Sequence, residues 1–486
     1  MTAELLSIHN GRASEVSRLP DMPLADFAQA VESVPGRGWR VAALFGAPEE
    51  QGTRLYAVLA QDEEGLLAAA SAKVEGDAFP SMTPRCPEVH LFEREIAEQC
   101  GLRPEGHPWL KPVRRIDGTD FYRVEGEEVH EVAVGPVHAG VIEPGHFRFQ
   151  CHGEQVMHLE ISLGYQHRGV ERALRGGPDK RTIHLMETLA GDTTIGHATA
   201  YCQVLEGLAG CRAPARAQAL RAVALELERL ANHTGDLGAL AGDVGFLPTA
   251  AYCGRLRGDF LNLTALLCGS RFGRGMVRPG GVGFDVDAAR VVEMKKRLEA
   301  AARDVEGAAG LLWTTASVQA RFEETGAVPE STARELGLVG VAARASGLRR
   351  DARKNHPSGL YQFAHIPIST WPTGDVFARA YVRWMEIQRS VAFITEQLSQ
   401  LPGGAVSAKC GEPRPGRMAA SLVEGWRGEI CHVAITDERG RFRAYKVVDP
   451  SFHNWTGLAM ALRDQQISDF PLCNKSFNLS YCGHDL

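Results

Sequence analysis

The pattern of apolar and polar positions in residues 1–115 predicts a small module of strands and helices. Continuous apolar runs at 39–46 and 53–61 are typical of buried strands, and a polar turn separates them. Residues 27–34 have the spacing of a helix that precedes these strands. Residues 85–115 begin with a helical pattern and end in a Pro-rich extended stretch, which indicates a linker.

The rest of the chain has a different character. Residues 146–164 predict a small sheet, and residues 428–452 predict a hairpin. Apolar residues recur at helical spacing in 214–245, 287–313 and 374–402. Because 486 residues are too many for one ordinary core, we expect an α+β protein of two or more domains, the second mainly helical with small sheets.

Composition is ordinary for a globular protein and disfavours some functions. Hydrophobic residues make up 44% and charged residues 23%, and the net charge is −6. This charge argues against nucleic-acid binding, which usually requires a basic face. We expect no transmembrane helix, since no run of about 18 uncharged apolar residues occurs. The N-terminus also lacks the pattern of a secretory signal.

The 11 cysteines fit reduced thiols better than a disulfide framework, because their number is odd and no signal precedes them. No Cys-x-x-Cys occurs. Neither Cys202 with Cys211 nor Cys473 with Cys482 has the spacing of a zinc or iron–sulfur site. The sequence therefore predicts that the chain carries no cluster of its own.

Several short segments gather polar side chains that have both a functional and a structural interpretation. His138, Glu143 and His146 lie beside a Gly-Pro turn, where they would either relay protons or form a surface turn. Tyr165, His167, Arg168 and Glu171 fall within 163–172, which favours structural ion pairing.

Residues 343–361 contain four arginines and a lysine that would either orient an anionic or quinone-like ligand or form a solvated basic face. The four glycines of 235–245 neither follow a strand nor have the spacing of a nucleotide fingerprint, so close helix packing is expected there. With no Walker A motif either, the sequence predicts no nicotinamide, flavin or ATP site in this chain.

Taken in order, the motifs of residues 130–486 resemble the large subunit shared by respiratory complex I and the membrane-bound group 4 nickel–iron hydrogenases. The motifs that carry the resemblance are GPVHAGVIEPGHFRF (135–149), LGYQHRGVE (163–171), LELERLANHTGDLG (225–238), RPGGV (278–282), ARASG (343–347), GDVFARAYVRWMEIQRS (374–390) and VEGWRGE (423–429).

The N-terminal module is similar to the small hydrophilic partner of that subunit in complex I, through FEREIAEQCGLRPEGHPWLKPVR (92–114). A fusion of the two is the arrangement of the large subunit of formate hydrogenlyase. The resemblance implies a 30-kDa-like domain over 1–118 and a 49-kDa-like domain over 119–486. The sequence EPGHFRF (143–149) is more similar to the hydrogenase branch than to complex I.

The stretch METLAGDTTIGHATAYC (186–202) aligns with the first metal-ligand motif of these hydrogenases, Arg-x-Cys-Gly-x-Cys followed by His. On that alignment Thr188, Ala190 and Thr193 replace the arginine and the two cysteines. Near the C-terminus, Ser480 and Gly483 stand at the second pair of cysteine positions. Nickel and iron in such sites need four soft thiolates, so we expect no standard nickel–iron centre.

The quinone site of complex I is not matched either. The resemblance places a Tyr just before the centre of the same stretch, where this chain has Leu189, and a His in the turn at Glu143 or Pro144. Glu143 matches the glutamate that carries protons away from the hydrogenase active site, so it is our first candidate for proton transfer.

The polar residues that remain at this site favour a retained function. The candidate proton-relay residues are Glu143, His146, Glu187 and His197. The candidate pocket-lining residues are His167, Arg168, Asp192, Thr193, Ser480 and Asp485. A non-standard metal would have to recruit groups such as Cys482, Cys473, Cys202 or His484, for which buried packing is the better interpretation.

The resemblance implies a peripheral-arm subunit of a membrane-bound oxidoreductase complex on the cytoplasmic face of the membrane. Its partners would be a small iron–sulfur subunit and antiporter-like membrane subunits. The pocket would bind a quinone, another small acceptor or a non-standard metal, and would couple electron transfer to proton or ion translocation. The alternatives are a non-catalytic scaffolding subunit and a quinone-reducing subunit of the NADH–quinone oxidoreductase type. Fold resemblance alone does not separate them.

Overall fold

The computed structural model describes residues 5–115, 120–140 and 142–486. Its first part contains eight short or medium strands and two helices. They are β1 Leu6–Ile8, β2 Ala13–Glu15, β3 Asp21–Met22, α1 Leu24–Glu32, β4 Trp39–Pro48, β5 Thr53–Gln61, β6 Leu66–Val74, β7 Ala78–Pro80, α2 His90–Cys100 and β8 Arg103–Glu105.

The N-terminal sheet has the order β1-β6-β5-β4, with β3 pairing in parallel with β6. The predicted strands are confirmed as β4 and β5, which pair antiparallel from Trp39↔Gln61 to Pro48↔Thr53. The predicted helix is confirmed as α1. Phe27 of α1 and Phe92 of α2 are fully buried in the same core as the sheet. Both amphipathic helices therefore pack their apolar faces against the sheet.

The extended linker expected at the end of 85–115 follows α2 and β8. Residues 106–115 form no strand or α-helix. The boundary expected at 118/119 lies outside the described residues.

The second part contains most of the helices and eight further strands. They are β9 Val129–Val134, β10 His146–His152, β11 Gln155–Ser162, α3 Val170–Leu174, α4 Thr182–Met186, α5 Thr194–Ala209, α6 Ala215–Asp243, α7 Leu247–Cys268, β12 Val277–Arg278, β13 Gly281–Val282, α8 Ala288–Thr314, α9 Ala316–Phe322, α10 Glu330–Glu335, α11 Gly340–Ala345, α12 Ala352–Asn355, α13 Val376–Ser399, β14 Arg417–Glu424, β15 Glu429–Thr436, β16 Phe442–Val448, α14 Pro450–Ala461, α15 Phe470–Phe477 and α16 Tyr481–Asp485.

The predicted α+β fold is confirmed, and so are the elements expected in this part. The small sheet at 146–164 is β10 and β11 with β9 at its edge, and the three predicted helices are α6, α8 and α13. Helices α5 and α7 were not predicted. Helix α5 is buried almost all round and therefore lacks the polar face that makes a helix recognisable in a sequence. No described helix is long and apolar enough to cross a membrane.

The two modules share a sheet and a core. The predicted hairpin is β15 and β16, which join β14 in an antiparallel sheet completed by β2 from the N-terminal module. Ala13 of β2 pairs with Ala419 of β14. Phe452 and Val433 of the second module lie in the same hydrophobic cluster as Phe27 of the first. Separating the modules would therefore expose apolar surface on both sides.

The alternative of a solvated basic face for 343–361 is wrong for two of its arginines. Arg344 is 0% exposed and Arg353 is 5% exposed. Arg344 lies 2.8 Å from Glu386 and 2.7 Å from Glu424, and Arg353 lies 3.1 Å from Glu226. A buried guanidinium needs such partners to offset its desolvation. This segment therefore ties α11 and α12 to helices α6 and α13.

The glycines of 235–245 allow close packing of α6 against α7, as expected. A Cβ at Gly238 would lie 2.8 Å from the Cys253 Cβ, and a Cβ at Gly235 would lie 2.8 Å from the Arg257 Cδ. A Cβ at Gly242 would meet the Ala250 Cβ at 3.9 Å, an ordinary contact.

We predict opposite effects for two glycine-to-alanine changes in α6. Gly238→Ala should destabilise the protein by about 1–3 kcal/mol, because the methyl group overpacks the α6–α7 contact. Gly242→Ala should be neutral or stabilising by about 0.5–1 kcal/mol, since alanine is the better helix former. The apparent melting temperatures of the two variants check this. Equal shifts for both would contradict the packing account.

Candidate functional site

The last residues of the chain are held by the turn at 163–169. The Asp485 carboxylate accepts hydrogen bonds from the Gly164 and Gln166 N–H groups at 2.8 and 2.9 Å. His167 Nδ1 lies 2.7 Å from the Asp485 carbonyl oxygen, and the Arg168 N–H donates to the Leu486 carbonyl oxygen at 2.8 Å. Two predicted lining residues, His167 and Asp485, therefore position the C-terminal segment.

Arg168 joins this C-terminal segment to residues 186–202. Its guanidinium donates to the carbonyl oxygens of Thr188 at 2.7 Å, Leu189 at 2.9 Å and Cys482 at 3.2 Å. Ion pairing, the expected role of 163–172, is observed for Glu171, which lies 3.0 Å from Lys446. The Arg168 guanidinium instead donates its hydrogen bonds to backbone carbonyl oxygens.

Arg427 makes a second bridge between the same two segments. It binds both carboxylate oxygens of Asp192, at 2.6 and 2.8 Å, and donates to Thr193 Oγ1 at 3.2 Å and to the Asn478 carbonyl oxygen at 2.6 Å. Burial alone would raise the pKa of Asp192, but Arg427 holds that pKa below its ordinary value. Asp192 is therefore a carboxylate that fixes the loop before α5.

The Asp449 carboxylate lies against the backbone of Gly483. A Cβ at position 483 would lie 2.7 Å from both Cγ and Oδ2 of Asp449 and 2.9 Å from Ser480 Oγ. Ser480 Oγ accepts from the Gly483 N–H at 2.9 Å and so caps α16. Only glycine leaves room at position 483 for the carboxylate in this place.

Asp449 is the first member of a buried chain of hydrogen bonds. Its Oδ2 lies 3.0 Å from His197 Nε2, His197 Nδ1 lies 3.1 Å from His432 Nε2, and His432 Nδ1 lies 2.9 Å from the Tyr445 hydroxyl. All four side chains are buried. His197 belongs to α5, whereas the other three come from the C-terminal sheet or the residue that follows it.

The charges of the end groups assign the protons in this chain. Burial would raise the pKa of Asp449, but the contact with His197 holds it below its ordinary value. Burial lowers the pKa of His432 well below its ordinary value and raises that of Tyr445 well above its own. Asp449 is therefore a carboxylate that accepts from His197 Nε2, and the chain ends in a neutral His432 imidazole and a Tyr445 phenol.

Glu228 binds backbone N–H groups at the N-terminus of α5. Its two oxygens accept from the Ile195 N–H at 2.7 Å and the Gly196 N–H at 3.2 Å. Burial raises the pKa of Glu228 to about 8, more than these N–H groups lower it. The carboxyl is therefore poised to change charge near neutral pH.

The other predicted site residues lie around this arrangement rather than in it. Glu143 Oε2 lies 3.3 Å from the Cys482 N–H, so Glu143 does reach the C-terminal segment. Glu187 accepts from the Gly275 N–H at 2.8 Å and from Arg278 at 3.2 Å, and so anchors the loop before β12. His146 packs edge-on against Phe121 with ring centroids 5.3 Å apart.

The side chains at the four expected ligand positions do not fit a nickel–iron centre. Ala190 and Gly483 carry no donor atom. The hydroxyl groups of Thr193 and Ser480 are hydrogen-bonded to Arg427 and to the Gly483 N–H. Burial raises the pKa of Cys482 to about 12, so this neighbouring thiol is not a thiolate. In the described residues, no three His, Cys, Asp or Glu side chains are arranged to hold a metal ion.

Sequence reasoning missed five residues of this site: Asp449, His432, Tyr445, Arg427 and Glu228. Each lies in a regular strand, helix or turn, far along the chain from its partner. His432 and Tyr445 lie in β15 and β16, which are buried almost throughout, and a polar residue in such a strand is the signal that was available for these two.

We predict that Gly483→Ala destabilises the protein by about 1–3 kcal/mol, because the methyl group overlaps the Asp449 carboxylate. Gly191→Ala is the matched control, since nothing lies within 4 Å of its added Cβ. Melting temperatures test the pair. A Gly483→Ala variant as stable as the control would show that Asp449 does not occupy this space.

We predict that Glu228 makes the protein less stable as pH rises. Its pKa is raised in the folded state, so its contribution is full below the unfolded value and is lost as pH rises through about 8. Glu228→Gln should therefore lose less melting temperature between pH 5.5 and pH 8.5 than the unmodified protein. The exposed Glu154→Gln should behave like the unmodified protein, and parallel curves for all three proteins would contradict this prediction.

Comparison with known proteins agrees with this two-module organisation. Residues 27–122 match the family described as the 30 Kd subunit of respiratory-chain NADH dehydrogenase, and residues 243–415 match its 49 Kd subunit family. Formate hydrogenlyase subunit 5 of Escherichia coli (strain K12) is 30% identical over 91% of this chain and 84% of its own length.

Two further relatives extend the comparison. Hydrogenase-4 component G of the same organism is 29% identical over 91% of this chain and 83% of its own length. The carbon monoxide-induced hydrogenase of Rhodospirillum rubrum is 30% identical over 72% of this chain and 97% of its own length. The chain therefore belongs to the family of fused complex I 30-kDa and 49-kDa subunits that includes formate hydrogenlyase subunit 5 and is related to group 4 hydrogenases.

Proposed function

We propose that this chain is the peripheral-arm large subunit of a membrane-bound, complex-I-like oxidoreductase complex. Its site has no cysteine ligands and couples electron transfer in a partner subunit to proton or ion translocation. The observation that carries the proposal is the Asp449 carboxylate, which lies against Gly483 and pairs with His197. A titratable group stands where the family places a metal ligand.

Electrostatics gives such a site a way to respond to a nearby redox centre. An electron about 12 Å away acts on a buried carboxyl with about 1.4 kcal/mol at a dielectric constant of about 20, which raises its pKa by about one unit. Glu228 has a pKa of about 8 and lies at the N-terminus of the helix that carries His197. Reduction of a partner's cluster would therefore favour proton uptake at Glu228.

Glu143 is our candidate for the residue that passes protons from this site toward the membrane partners. Its carboxylate reaches the N–H of Cys482, next to Gly483, while its neighbour Ile142 is exposed. A half-buried carboxylate between the site and the surface is suited to proton transfer.

The proposed partners follow from the family. A small iron–sulfur subunit would carry the nearest cluster, and antiporter-like membrane subunits would translocate the ion and hold this chain at the cytoplasmic face of the membrane. Several relatives are named as subunits of larger enzymes, among them the membrane-bound hydrogenase subunit alpha of Pyrococcus furiosus. A quinone bound in or near this site is compatible with the proposal but is not required by it.

A scaffolding role is the second candidate. It is favoured because the polar atoms of Arg168, Arg427 and Asp485 form hydrogen bonds that join separate chain segments. In that case the complex would assemble around this subunit, and the charges of Asp449 and Glu143 would not matter to coupling.

We predict that Glu143→Gln retains assembly and electron transfer but lowers proton translocation at least tenfold. The measurement uses membrane vesicles that contain the complex, with reduced methyl viologen as donor, a water-soluble quinone as acceptor and a pH-sensitive dye. Glu127→Gln, which alters an exposed glutamate, is the control. Asp449→Asn should also lower coupling.

Unchanged coupling in both Glu143→Gln and Asp449→Asn would overturn the proposal in favour of scaffolding. Loss of assembly in Asp449→Asn, together with normal coupling in Glu143→Gln, would point the same way.

A further inference from the structure

Further polar side chains lie between Tyr445, where the hydrogen-bond chain from Asp449 ends, and the surface. The Tyr445 ring lies beside Tyr201 of α5, with ring centroids 6.3 Å apart and an angle of 48° between them. Burial raises the pKa of the Tyr201 phenol, and the nearby Thr182 at the start of α4 offsets part of this rise. Thr182 Oγ1 in turn donates to Asp179 Oδ1 at 3.1 Å, and the Asp179 side chain is 50% exposed.

We propose that this string of side chains is a proton route between solvent at Asp179 and the Asp449 carboxylate. The route runs through Thr182, Tyr201, Tyr445, His432 and His197. The proposal rests on the proposed function only in that it gives the Asp449 site a supply of protons. It is separate from the Glu143 side of the site.

Every group on the route can both give and accept a proton. As Tyr445 passes its proton to His432 Nδ1, His432 passes its Nε2 proton to His197 Nδ1, and His197 passes its Nε2 proton to Asp449. A proton from the solvent side, delivered through Tyr201, replaces the one that Tyr445 gave up. The net result is one proton gained by Asp449, with the transferred proton of each imidazole now on the opposite nitrogen.

The route differs in kind from the buried arginine network that joins α6, α11, α12 and α13. The network around Glu226 and Glu386 is held by Arg229, Arg344 and Arg353, and guanidinium groups do not release protons in proteins. The route from Asp179 to Asp449 contains neither arginine nor lysine. It is thus suited to moving protons, whereas the arginine network is suited to holding helices together.

The step between Tyr201 and Tyr445 joins two rings whose centroids lie 6.3 Å apart. One water molecule between the two hydroxyl groups would complete it, since a bridging water is nearly as good as a direct hydrogen bond. The Tyr445 hydroxyl already donates to His432 and keeps a lone pair for such a water. Proton transfer between Thr182 and Tyr445 therefore depends on the Tyr201 hydroxyl.

The test is the hydrogen exchange of the two imidazole N–H groups in the full chain. The protein is labelled with ¹⁵N-histidine and transferred to D₂O, and the decay of the His197 and His432 Nε2–H signals is followed by NMR. We expect Tyr201→Phe and Tyr445→Phe to slow this exchange at least tenfold. Tyr56→Phe, which alters a buried tyrosine of the N-terminal module, should leave it unchanged.

Asp179→Asn supplies a second variant that does not disturb the core, because Asn keeps the oxygen that accepts from Thr182. It should slow the exchange at least threefold. Exchange rates in Tyr201→Phe and Asp179→Asn within twofold of the unmodified protein would overturn the route. Since this readout needs neither partner nor electron donor, a failed route and a failed coupling function would be told apart.

Discussion

The contact between the Asp449 carboxylate and the bare backbone of Gly483 is the constraint on which the site depends. A carboxylate at this depth is stable only with a hydrogen-bond donor on each oxygen, and Ser451 and His197 provide these. It also needs space that any side chain at position 483 would take. Glycine at position 483 therefore offers no donor side chain and leaves space for an acid.

The rest of the structure keeps that contact in register. Arg168 and Arg427 each bind both the loop before α5 and the C-terminal segment, so the two halves of the site cannot move apart without breaking charged hydrogen bonds. The C-terminal sheet adds His432 and Tyr445 from neighbouring strands. Because β2 of the N-terminal module completes this sheet, even the first module contributes to the rigidity of the site.

The sequence predicted much of the fold, because most long helices and strands have clear periodicity. It predicted close helix packing at the glycines of α6, since several glycines close together in one helix leave room for a neighbouring helix, but it did not predict that this neighbour is α7. It did not predict α5, whose buried residues run all round the helix, nor the burial of Arg344, whose acidic partners lie on distant elements. The family resemblance supplied what periodicity could not, namely that residues 186–202 and 476–486 meet.

The candidate site was predicted in outline but not in its chemistry. His197, Asp192, Thr193 and Ser480 were named from alignment to a metal motif, and the structure brings them together with the C-terminal segment. Their partners Asp449 and His432 come from segments without a recognisable motif, and the motif at 423–429 that contains Arg427 does not reveal what Arg427 binds. Long-range pairing of buried polar groups depends on the tertiary fold, and a single sequence contains no direct signal of it.

The central claim is that protonatable side chains have taken the place of a metal centre. The most direct measurement is the nickel and iron content of the complex, purified without oxygen together with its partner subunits. The account predicts no nickel, with all iron explained by the clusters of the partner subunits. Nickel near one atom per large subunit would contradict it and would require ligands such as Cys482 or His484 to leave their present contacts.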